Sequence, residues 1–262
     1  MTNKIKYGVI GTGVMGQEHI ENINIIENAE VVAICDTNEN SRNQTKSLVK
    51  DSTKFYNDLN ELISNNIADA YIIATPNFTH LNILERILKT NKHLLIEKPL
   101  CTTTEDCKKF ELISKNYSKI IWTGMEYRYM PPVQQLIKEV HNNVIGKIKM
   151  LSIREHRFPF LHKVDDWNRF AVNTGGTLVE KCCHFFDLMR LVIQSEPTKV
   201  YASGNQDVNH LEEKYDGKTP DIIDNAFVIV DFENGVRGML DLCMFAENSE
   251  YQEEIVAVGD IG

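Results

Sequence analysis

The sequence predicts an α/β protein in two parts: a doubly wound parallel sheet over residues 1–123, then an α+β domain with an open mixed or antiparallel sheet over residues 124–262. Three observations predict it. A glycine-rich turn separates a β-rich run from a helical pattern close to the start of the chain. Strand and helix patterns then alternate as far as Thr123. After that point the texture changes, and three strand patterns come close together near the end, as suits a more antiparallel sheet.

The elements follow in order. KIKYGVI reads as a short strand, GTGVMGQEHIENINII turns through glycines into a helix, and AEVVAICD is a second buried strand, which completes one βαβ unit. ENSRNQTKSLVK (helix), KFYND (strand), DLNELISN (helix) and DAYIIAT (strand) continue the alternation. THLNILERILKTN (helix), KHLLIE (strand), TTEDCKKFELISKN (helix) and SKIIWTG (strand) complete it. In the second part PPVQQLIKEVHN reads as a helix and GKIKMLSIREHR as a strand. The three late strands are DNAFVIVDFENG, VRGMLDLCMFA and EEIVAVGD, and GNQDVNHLEEKYDGKTPD reads as a long polar loop. There is no internal repeat.

Gly11, Gly13 and Gly16 form GxGxxG between the first strand and the first helix. At that position the backbone of Gly11, Thr12, Gly13, Val14, Met15 and Gly16 can approach a pyrophosphate at a helix N-terminus. Asp36 ends the second strand 20 residues after Gly16, where a carboxylate accepts hydrogen bonds from both ribose hydroxyls of NAD. The same carboxylate repels a 2′-phosphate, which favours NAD over NADP. Arg42, a few residues on, keeps NADP possible. The combination predicts a dinucleotide-binding Rossmann domain.

Composition excludes several classes. With 42% hydrophobic and 25% charged residues the chain is an ordinary folded protein. A formal charge of -9 with no lysine or arginine run gives no footprint for nucleic acid. No stretch is apolar for long enough to suggest a membrane span, and no separate leader precedes the first strand. Six cysteines without a CxxC pair fit reduced thiols, so a cytoplasmic location is expected.

ATPNFTH (residues 74–80) followed by EKP (residues 97–99) resembles the GFO/IDH/MOCA oxidoreductases, the family of glucose-fructose oxidoreductase and inositol 2-dehydrogenase. TGGTLVEKCCHFFDLMR also resembles that family's glycine turn and its acid, histidine and aspartate series. The resemblance implies a Rossmann domain before an open-sheet substrate domain, and a nicotinamide-dependent dehydrogenase of sugars, inositols or related polyols. It places Thr75, Pro76, Asn77 and His80 in a loop beside the cofactor, and Glu97 and Lys98 as a cofactor and catalytic pair. It makes His184 the acid/base, Glu180 its orienting acid and Lys98 the group that polarises the substrate oxygen. It also implies dimers or tetramers formed through the second sheet.

Three features depart from the family pattern. Glu180 stands where many members have aspartate and Cys182 where many have glycine, which bears on the pocket more than on the reaction. The chain also stops where members usually continue with further strands, so the second domain is expected to be incomplete.

The segment LVEKCCHFFDLM (residues 178–189) raises the question of a metal site. On one continuous helix Glu180, His184 and Asp187 share a face while Cys182 and Cys183 fall elsewhere, so the four kinds of group do not converge and no metal is expected. The cysteines read as small buried hydrophobes and Lys181 as a solvated helix residue. From spacing alone His184 reads better as a core histidine, satisfied by Glu180 or a backbone carbonyl; the resemblance reverses that preference in favour of the catalytic role. Asp187 reads either as a substrate-binding or orienting group or as a hydrogen-bonded helix residue.

Substrate contacts are expected from Tyr127, Arg128, Arg157, Trp167 and Asp187, among a wider set that includes Arg154, His156, Asp166 and Asn168. Such a mixture of donors, acceptors and an aromatic face suits a polyhydroxylated ligand. The arginines leave an acidic or phosphorylated sugar open. Two competing functions stand beside the polyol dehydrogenase: a non-catalytic dinucleotide sensor, and a reductase of a non-sugar substrate on the same fold.

Overall fold

In the computed structural model, which describes residues 4–262, the glycine turn follows a strand whose side chains alternate between two cores. The first three residues of the predicted N-terminal domain lie outside the described residues. The strands of this part are β1 (Ile5–Ile10), β2 (Ala29–Cys35), β3 (Lys54–Tyr56), β4 (Ala70–Ile73), β5 (His93–Ile96) and β6 (Ile121–Thr123). Between them run α1 (Val14–Asn24), α2 (Glu39–Gln44), α3 (Leu59–Asn65), α4 (His80–Ile87) and α5 (Thr104–Ser114).

The six strands are all parallel in the order β3-β2-β1-β4-β5-β6. This order reverses direction between β1 and β4, the place where Rossmann sheets open a crevice at their strand ends. Val9, Ile34 and Ile72 pack with Ile20 and Ile23 of α1 on one face, while Ile10, Ala33 and Ile73 join Leu84 and Ile87 of α4 on the other. Burial on both faces explains why these strands read as nearly continuous apolar runs.

The rest of the chain contains α6 (Pro131–His141), β7 (Ile148–His156), α7 (Ala171–Thr174), α8 (Thr177–Glu180), α9 (Cys183–Ile193), β8 (Pro197–Asn205), β9 (Asn225–Phe232), β10 (Arg237–Cys243) and β11 (Glu253–Gly259). Five strands form one mixed sheet in the order β11-β7-β10-β9-β8, with β7 and β10 parallel and the other pairs antiparallel. Leu151, Ile153, Val228, Val230, Leu240 and Leu242 face Phe185, Leu188 and Val192 of α9. Among the described residues no helix packs on the opposite face. There one cross-strand row runs Tyr201, Ile229, Met239, Ser152, Val256, in which Tyr201, Ile229, Met239 and Val256 are exposed.

β8 is a strand the sequence reading missed. All nine of its residues are exposed, so no apolar alternation marks it, and it holds its place as a sheet edge through its ladder to β9. Contacts divide the chain into two compact units. The first runs to Gly124 and also takes in Lys163–Trp167 and Val172–Thr174; the second holds the remainder. Those two short segments, placed in the second domain by sequence, come from the connection between β7 and α8, where no sheet ladder commits the backbone. Among the described residues no helix is long and apolar enough to cross a membrane.

Candidate functional site

In the first unit the parallel ladder sets the site. The N–H of Gly11 donates to Cys35 O, that of Ala74 to Ile10 O and that of Glu97 to Ile73 O, so the loops after β1, β4 and β5 leave adjacent strands side by side. The glycine loop, the Thr75 loop and Glu97–Lys98 are thereby gathered at one edge.

Each glycine has a separate reason. Gly11 has φ +85°, and a Cβ there would lie 2.6 Å from the carbonyl carbon and oxygen of Ala74. At Gly16 a Cβ would meet Gly11 O at 2.0 Å, so this glycine lets helix and turn pack. Gly13 is different: nothing lies within 4 Å of its Cβ position. It is the N-cap of α1, with no side-chain cap bond and no acidic residue in the first turn, which leaves the N–H groups open toward an anion. The residues present therefore fit a dinucleotide pyrophosphate.

At the tip of β2, Asp36 Oδ2 accepts from Thr12 N at 2.7 Å and Thr12 Oγ1 at 3.0 Å, and Oδ1 accepts from Asn38 N at 2.8 Å. These bonds fix the carboxylate and leave it further lone pairs. Arg42 donates to the backbone carbonyl of Asp36 at 2.5 Å, so its guanidinium is held on the main chain.

His80 is fully buried, with Nδ1 2.9 Å from Pro99 O and Nε2 3.0 Å from Thr75 O. Burial lowers its pKa, and a neutral ring donates to only one of those carbonyls at a time. It straps the Thr75 loop to the segment that begins at Lys98, whose peptide bond to Pro99 is cis. Asn77 is buried beside it, and its Nδ2 has no partner among the described residues. Glu97, also buried, has Oε1 2.6 Å from His19 Nε2. Sequence reasoning missed His19. Its place in the second turn of α1 was the available signal.

In the second unit, the expected continuous helix over residues 178–189 is broken. α8 ends at Glu180 and α9 begins at Cys183. The N–H of Cys182 reaches back five residues to Thr177 O at 3.4 Å, which widens the turn and rotates the following helix relative to Glu180. Glu180 and His184 are both buried, but they belong to two helical segments. Cys182 is fully buried as expected and Cys183 partly so.

Lys181 is the main correction. Rather than being solvated it is 7% exposed, and its Nζ lies 2.9 Å from Glu155 Oε1 and 3.0 Å from the Tyr127 hydroxyl, to which it donates. Alternation along β7 explains Glu155: with Leu151 and Ile153 it points to the helix face, where a buried carboxylate calls for a cation. Burial raises the Glu155 pKa and the Lys181 charge opposes that rise. Tyr127 donates to Glu253, and burial followed by that bond raises its pKa, so the hydroxyl stays protonated. The Tyr127 ring also packs on the His184 imidazole, with centroids 4.6 Å apart and planes at 31°.

The other expected substrate residues fall apart into groups. Arg128 and Asp187 grip each other through two parallel bonds, Nε to Oδ2 at 2.5 Å and Nη2 to Oδ1. Arg154 and His156 lie on the open face of β7, where Asp241 pairs with both. Trp167 belongs to the first unit and sits edge-on to Phe78 at 6.2 Å. Asn168 is buried in the second and donates to Leu161 O. Arg157 lies 3.5 Å from Glu155. Among the described residues no group of three or more His, Cys, Asp or Glu is placed to hold a metal ion.

Two family models cover nearly all of the chain. Residues 5–125 match the NAD-binding Rossmann fold of the GFO/IDH/MocA oxidoreductases, and residues 137–259 match that family's C-terminal alpha/beta domain. The chain belongs to the GFO/IDH/MocA oxidoreductase family. It is thus an oxidoreductase of the NAD(P)-dependent dehydrogenase type, acting on CH–OH groups, with NAD as cofactor. It is 30% identical over 237 residues to myo-inositol 2-dehydrogenase of Thermotoga maritima, a match that takes in 90% of this chain and 68% of that protein. It is also 30% identical over 220 residues to glucose-6-phosphate 3-dehydrogenase of Bacillus subtilis, covering 80% of this chain and 60% of that protein. The crystal structure of a probable dehydrogenase from Thermotoga maritima superposes with a TM-score of 0.81 at 29% identity, over 98% of this chain and 74% of that one.

Proposed function

We propose that this GFO/IDH/MocA chain transfers hydride between NAD and a secondary hydroxyl, or the corresponding ketone, of a sugar, inositol or related polyol. The observation that carries the reading is the placement of Lys98 directly after β5, on the strand edge that also presents the open Gly13 turn and Asp36. A lysine there serves a substrate oxygen beside a nicotinamide ring. The inositol and sugar dehydrogenases among its relatives support the polyol class.

Bound NAD supplies the hydride acceptor. The chain's own residues do the rest. Gly11, Thr12, Gly13, Val14, Met15 and Gly16 hold the pyrophosphate, and Asp36 the ribose. Thr75, Pro76, Asn77, His80 and Glu97 shape the nicotinamide side. Lys98 donates to the reacting oxygen and stabilises negative charge there, and His184 at its imidazole takes the hydroxyl proton, with Glu180 favouring the protonated ring that results. Tyr127 and Arg157 contact substrate. Arg128 and Asp187 serve by fixing each other, tying the turn before α6 to α9, and Trp167 by packing in the first unit. The exposed row on the second sheet supports self-association as a dimer or tetramer.

Lys98→Met tests the reading. Oxidation of a polyol should fall by about a hundredfold or more while NADH affinity, followed by fluorescence, stays within about threefold. Undiminished turnover would remove Lys98 from the chemistry.

A further inference from the structure

The helix α1 has a second link to the site besides its open N-terminus. From its second turn His19 reaches the end of β5, where its Nε2 lies 2.6 Å from Glu97 Oε1. The two side chains are 19% and 10% exposed, so water competes weakly for the bond. An ionised carboxylate only accepts, and the imidazole therefore donates at Nε2 whether the ring is neutral or protonated.

The other bonds of Glu97 are local or part of the sheet. Its N–H donates to Ile73 O, and its Oε2 accepts from the Lys98 N–H at 3.3 Å. The ladder fixes the backbone of Glu97 but leaves its side chain a choice of rotamers. His19 is the distant side chain that selects one of them. Because the same carboxylate also holds the Lys98 N–H, its setting bears on the start of the lysine segment.

Strand order says which part of the cofactor this edge meets. β2, β1, β4 and β5 lie side by side in that order. Asp36 ends β2, the glycine turn follows β1, and Glu97 follows β5. A dinucleotide with its pyrophosphate at the glycine turn and one ribose at Asp36 directs its other half across the switch point, toward the ends of β4 and β5.

We propose that His19 is a positioning residue for the nicotinamide half of the cofactor, holding Glu97 and through it the Lys98 main chain at the end of β5. One helix then fixes the pyrophosphate from its N-terminus and the nicotinamide side from its second turn. The proposal rests on the placement of Glu97 and Lys98 on the nicotinamide side given above, and adds the residue that keeps them there.

The test compares, by calorimetry on the full chain, NADH with ADP, which has the adenosine and diphosphate but lacks the nicotinamide ribose. In His19→Ala the affinity for NADH should fall about tenfold while that for ADP stays within about twofold, as expected for loss of one bond to a charged group. His19→Leu, which keeps bulk without a donor, should behave in the same way. His19→Gln carries an amide donor at a similar reach and should recover most of the loss. Glu97→Ala should lower the NADH-to-ADP affinity ratio at least as far as His19→Ala. A parental ratio in both His19→Ala and His19→Leu, folded by circular dichroism, or an equal fall for the two ligands, overturns the role of His19. If Glu97→Ala still lowers the ratio, the placement of Glu97 stands without it. A parental ratio in Glu97→Ala removes Glu97 from the nicotinamide side and this proposal with it.

Discussion

Gly13→Ala and Gly11→Ala should separate cofactor binding from folding, because two glycines of one turn face different surroundings. Gly13 has φ −64° and ψ −165°, an extended conformation that alanine adopts freely, and its Cβ position has no atom within 4 Å. Alanine there should leave folding unharmed or add a few tenths of a kcal/mol by restricting the unfolded chain. The new methyl occupies the space a pyrophosphate needs, and overpacking of that kind costs about 1–3 kcal/mol, or roughly 5- to 150-fold in NADH affinity. Gly11 has φ +85° and a Cβ position 2.6 Å from Ala74 backbone atoms. The left-handed conformation costs about 1–2 kcal/mol for alanine, and the clash with backbone adds about 1–3 kcal/mol. Urea unfolding of the cofactor-free protein should therefore show about 2–5 kcal/mol lost in Gly11→Ala and none in Gly13→Ala. NADH titration should show the loss in Gly13→Ala even though it is fully folded. A Gly13→Ala protein that binds NADH as tightly as the parent would refute the assignment of that turn to the pyrophosphate.

Lys181→Met leaves Glu155 buried without its cation and should destabilise the protein by about 3–5 kcal/mol in urea, with much of the loss recovered by the double variant Glu155→Gln/Lys181→Met. Arg128→Ala breaks a two-bond pair whose arginine is partly exposed, so about 1–3 kcal/mol should be lost in the same assay, and Asp187→Asn should cost no more than that. Acid unfolding should report Glu213. Burial acts to raise its pKa, but bonds from His210, Tyr215 and Arg169 outweigh it and bring the value from an ordinary 4.5 to about 2. A carboxylate depressed on folding stabilises above its unfolded pKa, and that contribution is lost as pH falls from about 4.5 toward 2. At about 1.4 kcal/mol per unit the effect is capped at about 3.5 kcal/mol. Glu213→Gln should flatten the stability-against-pH curve in that window, and an identical curve for both proteins would contradict the assignment.

The strands and helices of the first unit, and the glycine turn between β1 and α1, could be read from the chain alone. Strands buried on both faces leave continuous apolar runs, and the GxGxxG spacing with Asp36 follows from local backbone geometry that a short segment carries within itself. Gly13 and Asp36 needed only the spacing of a βαβ unit, whereas the Glu97–Lys98 pair came from the family resemblance and not from any pattern in the chain. Partner choice was decided by tertiary structure. Spacing put Glu180 and His184 on one helix, yet the turn at Lys181–Cys182 opens because Lys181 is drawn inward to Glu155, 26 residues earlier on a strand whose alternation buries that carboxylate. Arg128 finds Asp187 across 59 residues, and the Tyr127 hydroxyl finds Glu253 across 126. Such pairings form only when the sheet and helices pack, so no local pattern in the chain could name them. The edge strand β8 was hidden for a related reason: its place comes from the ladder offered by β9, and its own side chains carry no period.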